Sequence, residues 1–164
     1  MLDSAPGPKP VRGARALLFE RLTDDDPASP DEARPLRVLD RSALRQSVRR
    51  ELFCLLNTRS PRPEAFESGE RLTVLDYGVP DFSHRFASSA EDRLRYAEIL
   101  LRAITAFEPR LRQVRVSLEP SPDDQAKLTG LIDAILEVGT VKEPVSFPLA
   151  VGSVTGEAAV LVSD

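Results

Sequence analysis

The chain has 164 residues, enough for one domain with a real core, or for a smaller domain carrying an arm. Its formal net charge of -4, with 29% charged residues, argues against nucleic acid as the main partner, because phosphate binding demands a basic footprint. A lone cysteine, Cys54, and a lone histidine, His84, exclude an internal disulfide, a cysteine-rich zinc site and any catalytic centre built on several histidines.

The first stretch, MLDSAPGPKPVRG, holds no apolar run of the kind a secretory signal needs. No segment reaches the roughly 18 apolar residues of a membrane span. A reducing, cytoplasmic setting without membrane insertion is the expectation. Residues 1–13 are small and rich in Pro and Gly, a composition that predicts disorder. In ALLFERL, residues 16–22, the side chains of Leu17, Leu18, Phe19 and Leu22 form a compact apolar cluster, cut off by the acidic linker TDDDPASPDEARP at 23–35. Such a short plug is unstable as an isolated helix. It must dock, either on its own domain or on a partner.

Residues 40–57 read as the first long helix, capped by Asp40 or Ser42. Leu44, Val48, Leu52, Leu55 and Leu56 form one apolar stripe, and Arg45, Arg49, Arg50 and Glu51 fall largely outside it. Asn57 fits the position just past the helix end. Cys54 reads as a small apolar residue at the stripe edge rather than a nucleophile. Residues 58–71 form a loop, Leu72–Asp76 a short strand, and 76–82 a turn-rich segment around Gly78 and Pro80. His84 follows in a loop, where a solvated or hydrogen-bonded side chain is the ordinary outcome.

Ser88 and Glu91 stand at capping-box spacing, which starts a second long helix over about 89–107. Leu94, Ala97, Leu101 and Ile104 set its predicted stripe, widened by Leu100 and Phe107. Pro109 stops the helix at about Phe107 or Glu108, since the residue before a proline leaves the helical region and proline lacks the donor. Glu108 then sits where a helix end disfavours negative charge, and Arg110 is the nearest cation to offset it. Two residues apart in an extended segment, they share a face as an ion pair. An exposed pair would contribute at most about 1 kcal/mol.

The period then changes to two, with Val114, Val116 and Leu118 facing one side of a half-buried strand. Counted backwards in phase, Arg112, Arg110 and Glu108 lie on that same side. Either the chain kinks and turns them out, or the row carries an ion-pair network. Pro120–Asp124 forms a turn. Lys127–Val138 suits both a helix and a strand, and Gly139 ends it in either case. Val145, Phe147, Leu149 and Val151 alternate as a strand that Pro148 confines to an edge or bulge. Residues 152–156 hold a turn, and Ala158, Val160 and Val162 a last strand. The implied fold class is α+β: two main helices packed on a small, mostly antiparallel sheet, with an extended N-terminal arm.

Asp76, Asp81 and Glu108 could be imagined as a glycosidase set, but Arg110 beside Glu108 favours the ionised carboxylate, the wrong form for an acid catalyst. The chain has no tryptophan and only two tyrosines to stack on a sugar. No P-loop, GxGxxG, GxSxG or CxxC motif is present. No catalytic residue, metal ligand or cofactor is expected.

Taken in order, FERL at 19–22, SVRRELFCLLNTR at 47–59, VLDYGVPDF at 74–82 and FEPRL at 107–111 resemble the TssE family of type VI secretion baseplate subunits. That family lies within the lysozyme-like baseplate wedge family of contractile phage tails, and the resemblance spans about residues 16–162. It implies a flexible arm over 1–36 with its docking segment at 16–22, and a wedge domain over 37–164. It implies a structural, non-enzymatic role: joining the TssF–TssG wedge, with TssK as a further neighbour, to the contractile sheath and templating its first ring. Sheath subunits TssB and TssC would associate by strand addition, at the inner face of the bacterial inner membrane. The Glu-Pro-Arg signature falls on Glu108, Pro109 and Arg110, and the N-terminal docking segment on Leu17, Leu18, Phe19 and Leu22. The alternatives are a peptidoglycan-cleaving muramidase, or a wedge subunit of another contractile injection system or phage tail.

Overall fold

The computed structural model describes residues 14–22, 28, 38–81, 89–124, 127–139, 141–152 and 158–160. His84, Ser88, Val162, the segment 1–13 and nearly all of the acidic linker lie outside them. A two-stranded pair of β1 (Ala14–Arg15) and β2 (Val38–Leu39) flanks a five-residue helix α1 (Leu18–Leu22). The long helices α2 (Arg41–Asn57) and α3 (Ala90–Phe107) pack on an antiparallel sheet of β3 (Leu111–Pro120), β4 (Lys127–Val138), β5 (Val141–Gly152) and β6 (Ala158–Val160), in that order. The class is α+β, as the change of period from 3.6 to 2 at Pro109 implies.

Helix α2 begins where Asp40 accepts a bond from the Ala43 amide at 2.8 Å. Its whole stripe of Leu44, Val48, Leu52, Leu55 and Leu56 is buried, each such side chain contributing about 1.5–3 kcal/mol of transfer free energy. Asn57 is the last helical residue rather than a left-handed cap. It binds β6 instead: its amide accepts from the Ala158 N–H at 2.9 Å and donates to the Ala158 carbonyl at 2.8 Å. Cys54 is exposed, not at a packed stripe edge. The cap of α3 is Ser89, one residue later than expected, and it accepts from the Glu91 and Asp92 amides. The buried face of α3 runs through Tyr96, Ile99, Leu100, Ala103 and Ile104. Leu94 is exposed, so the stripe lies rotated from the predicted one. Two apolar rows compete on this helix, and the one carrying the tyrosine ring faces the core.

Leu72–Asp76 is not a strand. Thr73 and Asp76 close a reciprocal capping box around a single 3₁₀ turn, Val74–Asp76, because the Asp76 carboxylate takes both the amide and the hydroxyl of Thr73. Asp76 itself is buried, with Arg62 3.2 Å away. Beyond it Gly78 has φ +113°, and a Cβ there would stand 2.5 Å from the Thr58 carbonyl oxygen. That close approach lets Val79 pair with the chain at Thr58–Ser60 just past α2.

The sheet register departs from simple alternation at one point. Arg112 pairs with Ile135 but Arg115 with Asp133, so Gln113 and Val114 together face Ala134. Gln113 takes φ +52°, the left-handed first position of a bulge. The bulge breaks the phase: Leu111 and Val114 both turn inward, and Arg112 turns out to solvent. Lys127–Val138 is a strand. Its inner row of Leu128, Ile132, Ala134 and Leu136 is buried, and its outer row is also half apolar, at Leu131 and Ile135, which is why a helical period fitted it equally well. Gly139, at φ +58°, turns the chain into β5 between paired Val138 and Val141. Val145, Phe147, Leu149 and Val151 all face the core. Among the described residues strand β6 pairs with Leu149–Val151, and Pro148 lies just beyond that pairing on β5.

Gln113→Gly should raise the unfolding free energy by about 0.5–1 kcal/mol. It removes a left-handed penalty of about 1–2 kcal/mol at an unfolded-state entropy cost somewhat smaller. Gln113→Val should lower it, as urea denaturation midpoints of the two variants will show.

Candidate docking site

The helix end and the sheet start are joined by three residues. Glu108 follows α3, its amide bonded to the Ile104 carbonyl at 2.9 Å. Pro109 is exposed at the turn, and Arg110 opens the sheet, its carbonyl accepting from the Glu137 amide at 2.8 Å. The side chains of Glu108 and Arg110 clasp in a fork. Arg110 Nε donates to Glu108 Oε1 at 2.7 Å and Nη2 to Oε2 at 2.6 Å. Glu108 is only 3% exposed. The pair is therefore a desolvated, bidentate one rather than a surface pair. It resolves the phase problem in two parts: Arg112 is turned out by the bulge, and Glu108 and Arg110 neutralise each other inside.

The third guanidinium nitrogen ties the pair to α2. Arg110 Nη1 donates to Ser47 Oγ at 2.8 Å, and Ser47 is fully buried. The Ser47 hydroxyl donates to Glu20 on α1. Glu20 also takes Arg50 of α2 at 2.5 Å and the Leu17 amide at 3.1 Å. Burial works against ionising Glu20, but Ser47, Arg50 and the Leu17 amide together hold its carboxyl below its usual value. One polar chain thus runs Arg50–Glu20–Ser47–Arg110–Glu108, across α1, α2 and the joint after α3. Next to it Tyr77 stacks edge-on against Phe107, with ring centroids 5.3 Å apart, so the turn after Asp76 leans on the same helix end.

The short segment thus docks on its own domain. Ala16 is buried and Leu17 half-buried, while Leu18 and Leu22 stand 62% and 72% exposed, one helical turn apart on α1. Phe19 is the second residue of α1, and its side chain lies outside the described residues. The two groups of residues singled out in the sequence are in this way one continuous assembly. Its outward parts are Leu18, Leu22 and Pro109; its inward parts are Glu108 and Arg110. Glu20, Ser47 and Arg50 are its connectors. Ser47 is a polar residue between Leu44 and Val48 on an otherwise apolar face, and that mismatch was the available signal. The arrangement suits presentation of a shaped apolar surface, and both Glu108 oxygens are committed to Arg110. Among the described residues no group of carboxylates, histidines or cysteines could hold a metal ion, and no helix is long and apolar enough to cross a membrane.

The profile of the family described as baseplate wedge protein gp25 matches residues 42–140, more than half of the chain. No curated protein matches the chain by sequence. Among solved structures, a chain from one described as "The baseplate complex from the type VI secretion system" superposes with a TM-score of 0.49 at 15% identity, over 66% of this chain and 94% of that one.

Arg110→Ala should destabilise the protein by about 3–5 kcal/mol, because it leaves Glu108 charged and buried with no partner. The double variant Glu108→Leu, Arg110→Met should recover most of that loss, as thermal or urea unfolding will show. Acid should act on α1. A carboxyl depressed in the folded state contributes stability above its unfolded value, here 4.5, and loses it as pH falls through the lower folded value. The Leu17 amide resonance, held by Glu20, should stay constant at neutral pH and titrate with a midpoint below 4.5.

Proposed function

The chain belongs to the baseplate wedge protein gp25 family, and on that footing we propose that it is the wedge subunit of a type VI secretion baseplate. In this role it joins the TssF–TssG wedge to the contractile sheath and templates the first sheath ring. The TssE-like order of its FERL, LLNTR, VLDYGVPDF and FEPRL segments supports the type VI setting. Residues 1–36 act as an arm and 37–164 as the wedge domain, assembled with TssK nearby on the cytoplasmic side of the inner membrane. Sheath subunits TssB and TssC add to the sheet.

The observation that carries the docking role is the polar chain linking Glu20 to Glu108. It ties α1 and the Pro109 turn to the same residue of α2, Ser47, and so holds Leu18, Leu22 and Pro109 in fixed relative positions. A surface ordered before binding does not pay its ordering entropy on association. Glu108 and Arg110 serve that surface from beneath, as positioning residues, and Pro109 with the α1 leucines makes the contact. The clasp of Glu108 by Arg110 supports a structural role without catalysis.

Leu18→Asp combined with Leu22→Asp alters only exposed positions, so the melting temperature should change by no more than a few degrees. Co-purification with TssF–TssG should fall at least tenfold. Undiminished recovery of the complex would sink this assignment of the surface.

A further inference from the structure

Helix α3 carries more apolar surface than the core takes up. Tyr96, Ile99, Leu100, Ala103 and Ile104 face inward, whereas Leu94, Ala97 and Leu101 form a second row at i, i+3 and i+7. Leu94 is 71% exposed, and Ala97 and Leu101 are half-buried. Beside that row the loop after α2 stands as a wall. Its 3₁₀ turn Pro63–Phe66 puts the Phe66 ring in the core. Arg102 of α3 donates to the Phe66 and Glu70 carbonyls, each at 2.5 Å, and Arg95 pairs with Glu67. These ties fix the wall without closing it on the helix. A cavity of about 520 Å³ remains, lined by Phe66, Glu67, Glu98 and Leu101 among others. A second, of about 290 Å³, is lined by Leu72, Leu101, Thr105 and Ala106 among others. Leu101 and Arg102 line both, so the two form one groove along α3 with Leu101 at the junction.

We propose that this groove seats an amphipathic helix of another protein, with one apolar side chain in each cavity. The reading is independent of the wedge assignment. The wall is a turn and irregular chain rather than a strand, and Arg102 takes both the Phe66 and the Glu70 carbonyl. An extended segment would find no ladder of main-chain groups there. A helix satisfies its own main chain and docks by side chains alone. The spacing agrees. Glu98 lines the first cavity and Thr105 the second, two helical turns or about 10.5 Å apart. The seated helix therefore carries large apolar residues at i and i+7. Charge sets its polar residues. Glu67 is taken by Arg95, and Glu70 by Arg62 at 3.4 Å. Glu98, at the first cavity, and Arg71, at the second, are exposed, and among the described residues neither forms an ion pair. The partner helix sets a basic residue against Glu98 and an acidic one against Arg71. The α3 row of a second copy does not fit that pattern: the charge between Leu94 and Leu101 is Glu98 again, and Arg95 and Arg102 are tied to the wall.

The probe is a fluorescent helical peptide of about 15 residues, with two leucines at i and i+7, a lysine beside the first and a glutamate beside the second. Titrated with the full chain, its anisotropy should saturate below about 1 mM, with amide shifts concentrated at 66–72 and 94–106. Leu101→Glu should weaken binding at least tenfold. Glu98→Lys should weaken it three- to tenfold, and exchanging the peptide's lysine for glutamate should restore it, which a merely structural effect of the substitution would not allow. Glu98 is exposed, so this pair of measurements decides even where Leu101→Glu fails to fold. Absence of saturation, shifts elsewhere on the chain, or binding indifferent to both substitutions would overturn the proposal. Equal binding of the same peptide broken by a central proline would give the groove to an extended segment and overturn it. So would self-association of the chain without peptide that Leu101→Glu abolishes, which would give the groove to a second copy.

Discussion

A carboxylate and a guanidinium with almost no water around them must satisfy each other, and the Glu108–Arg110 pair does so with two parallel bonds. Each charge, taken alone from water, would cost several kcal/mol to bury. Together they are tolerated, and a well-packed apolar pair of the same volume would be about as stable. The value of the pair is therefore in direction rather than in energy. A guanidinium has a fixed fork of five donors. Once two of its N–H groups are committed to Glu108, a third is aimed, and it meets Ser47. That bond sets where α2 lies relative to the end of α3. Ser47 in turn reaches Glu20, so the placement of α1 follows from the same fork. Pro109 between them stops α3 and holds the chain in the turn that lets the two side chains face one another.

The edges of the sheet obey a second constraint, the period of two in main-chain bonding. Prolines at 144 and 148 are four residues apart, so both missing donors fall on the same side of β5. That side is not the one that bonds β4, and the long β4–β5 ladder survives unbroken. Among the described residues β6 leaves that side of β5 uncovered at both prolines, and their placement blunts it against unwanted pairing. Asn57 and Arg49 do the same for β6 with side chains in place of a strand. Two different devices thus guard two edges, while among the described residues β3 between the bulge and Pro120 has neither.

The long helices, the break at Pro109 and the alternation of β5 were readable because each rests on a local rule: a periodic stripe, a proline, a two-residue repeat. Readings failed where packing chose between local alternatives of similar merit. Helix α3 carries two apolar rows, and packing in the core selected Tyr96 and Ile99 over Leu94. Strand β4 is apolar on both faces, which erases the period that separates strand from helix. The Thr73–Asp76 box outcompeted the strand propensity of its valine and leucine. The bulge at Gln113 has no signal at all in composition, since glutamine is not a residue that announces a left-handed backbone. The Glu108–Arg110 pair was visible as a pair, but its burial and its link through Ser47 to Glu20 depend on residues 63 and 90 positions away in the chain, which no local rule connects.

Arg110 has two roles in one residue. Its guanidinium belongs to the network under the exposed α1 leucines and Pro109, and its carbonyl takes the Glu137 amide on β4, next to the first β3–β4 pair at Leu111 and Leu136. A displacement of the joint would therefore have to break either a desolvated bidentate pair or the start of a strand ladder. Both are costly, because each leaves buried polar groups without partners. The network under α1 and the sheet are in consequence connected without a hinge. The first irregularity along β3 is the bulge, beyond the shared residue. The orientation of the α1 leucines relative to the sheet is therefore set by covalent geometry and buried bonds rather than by a flexible loop.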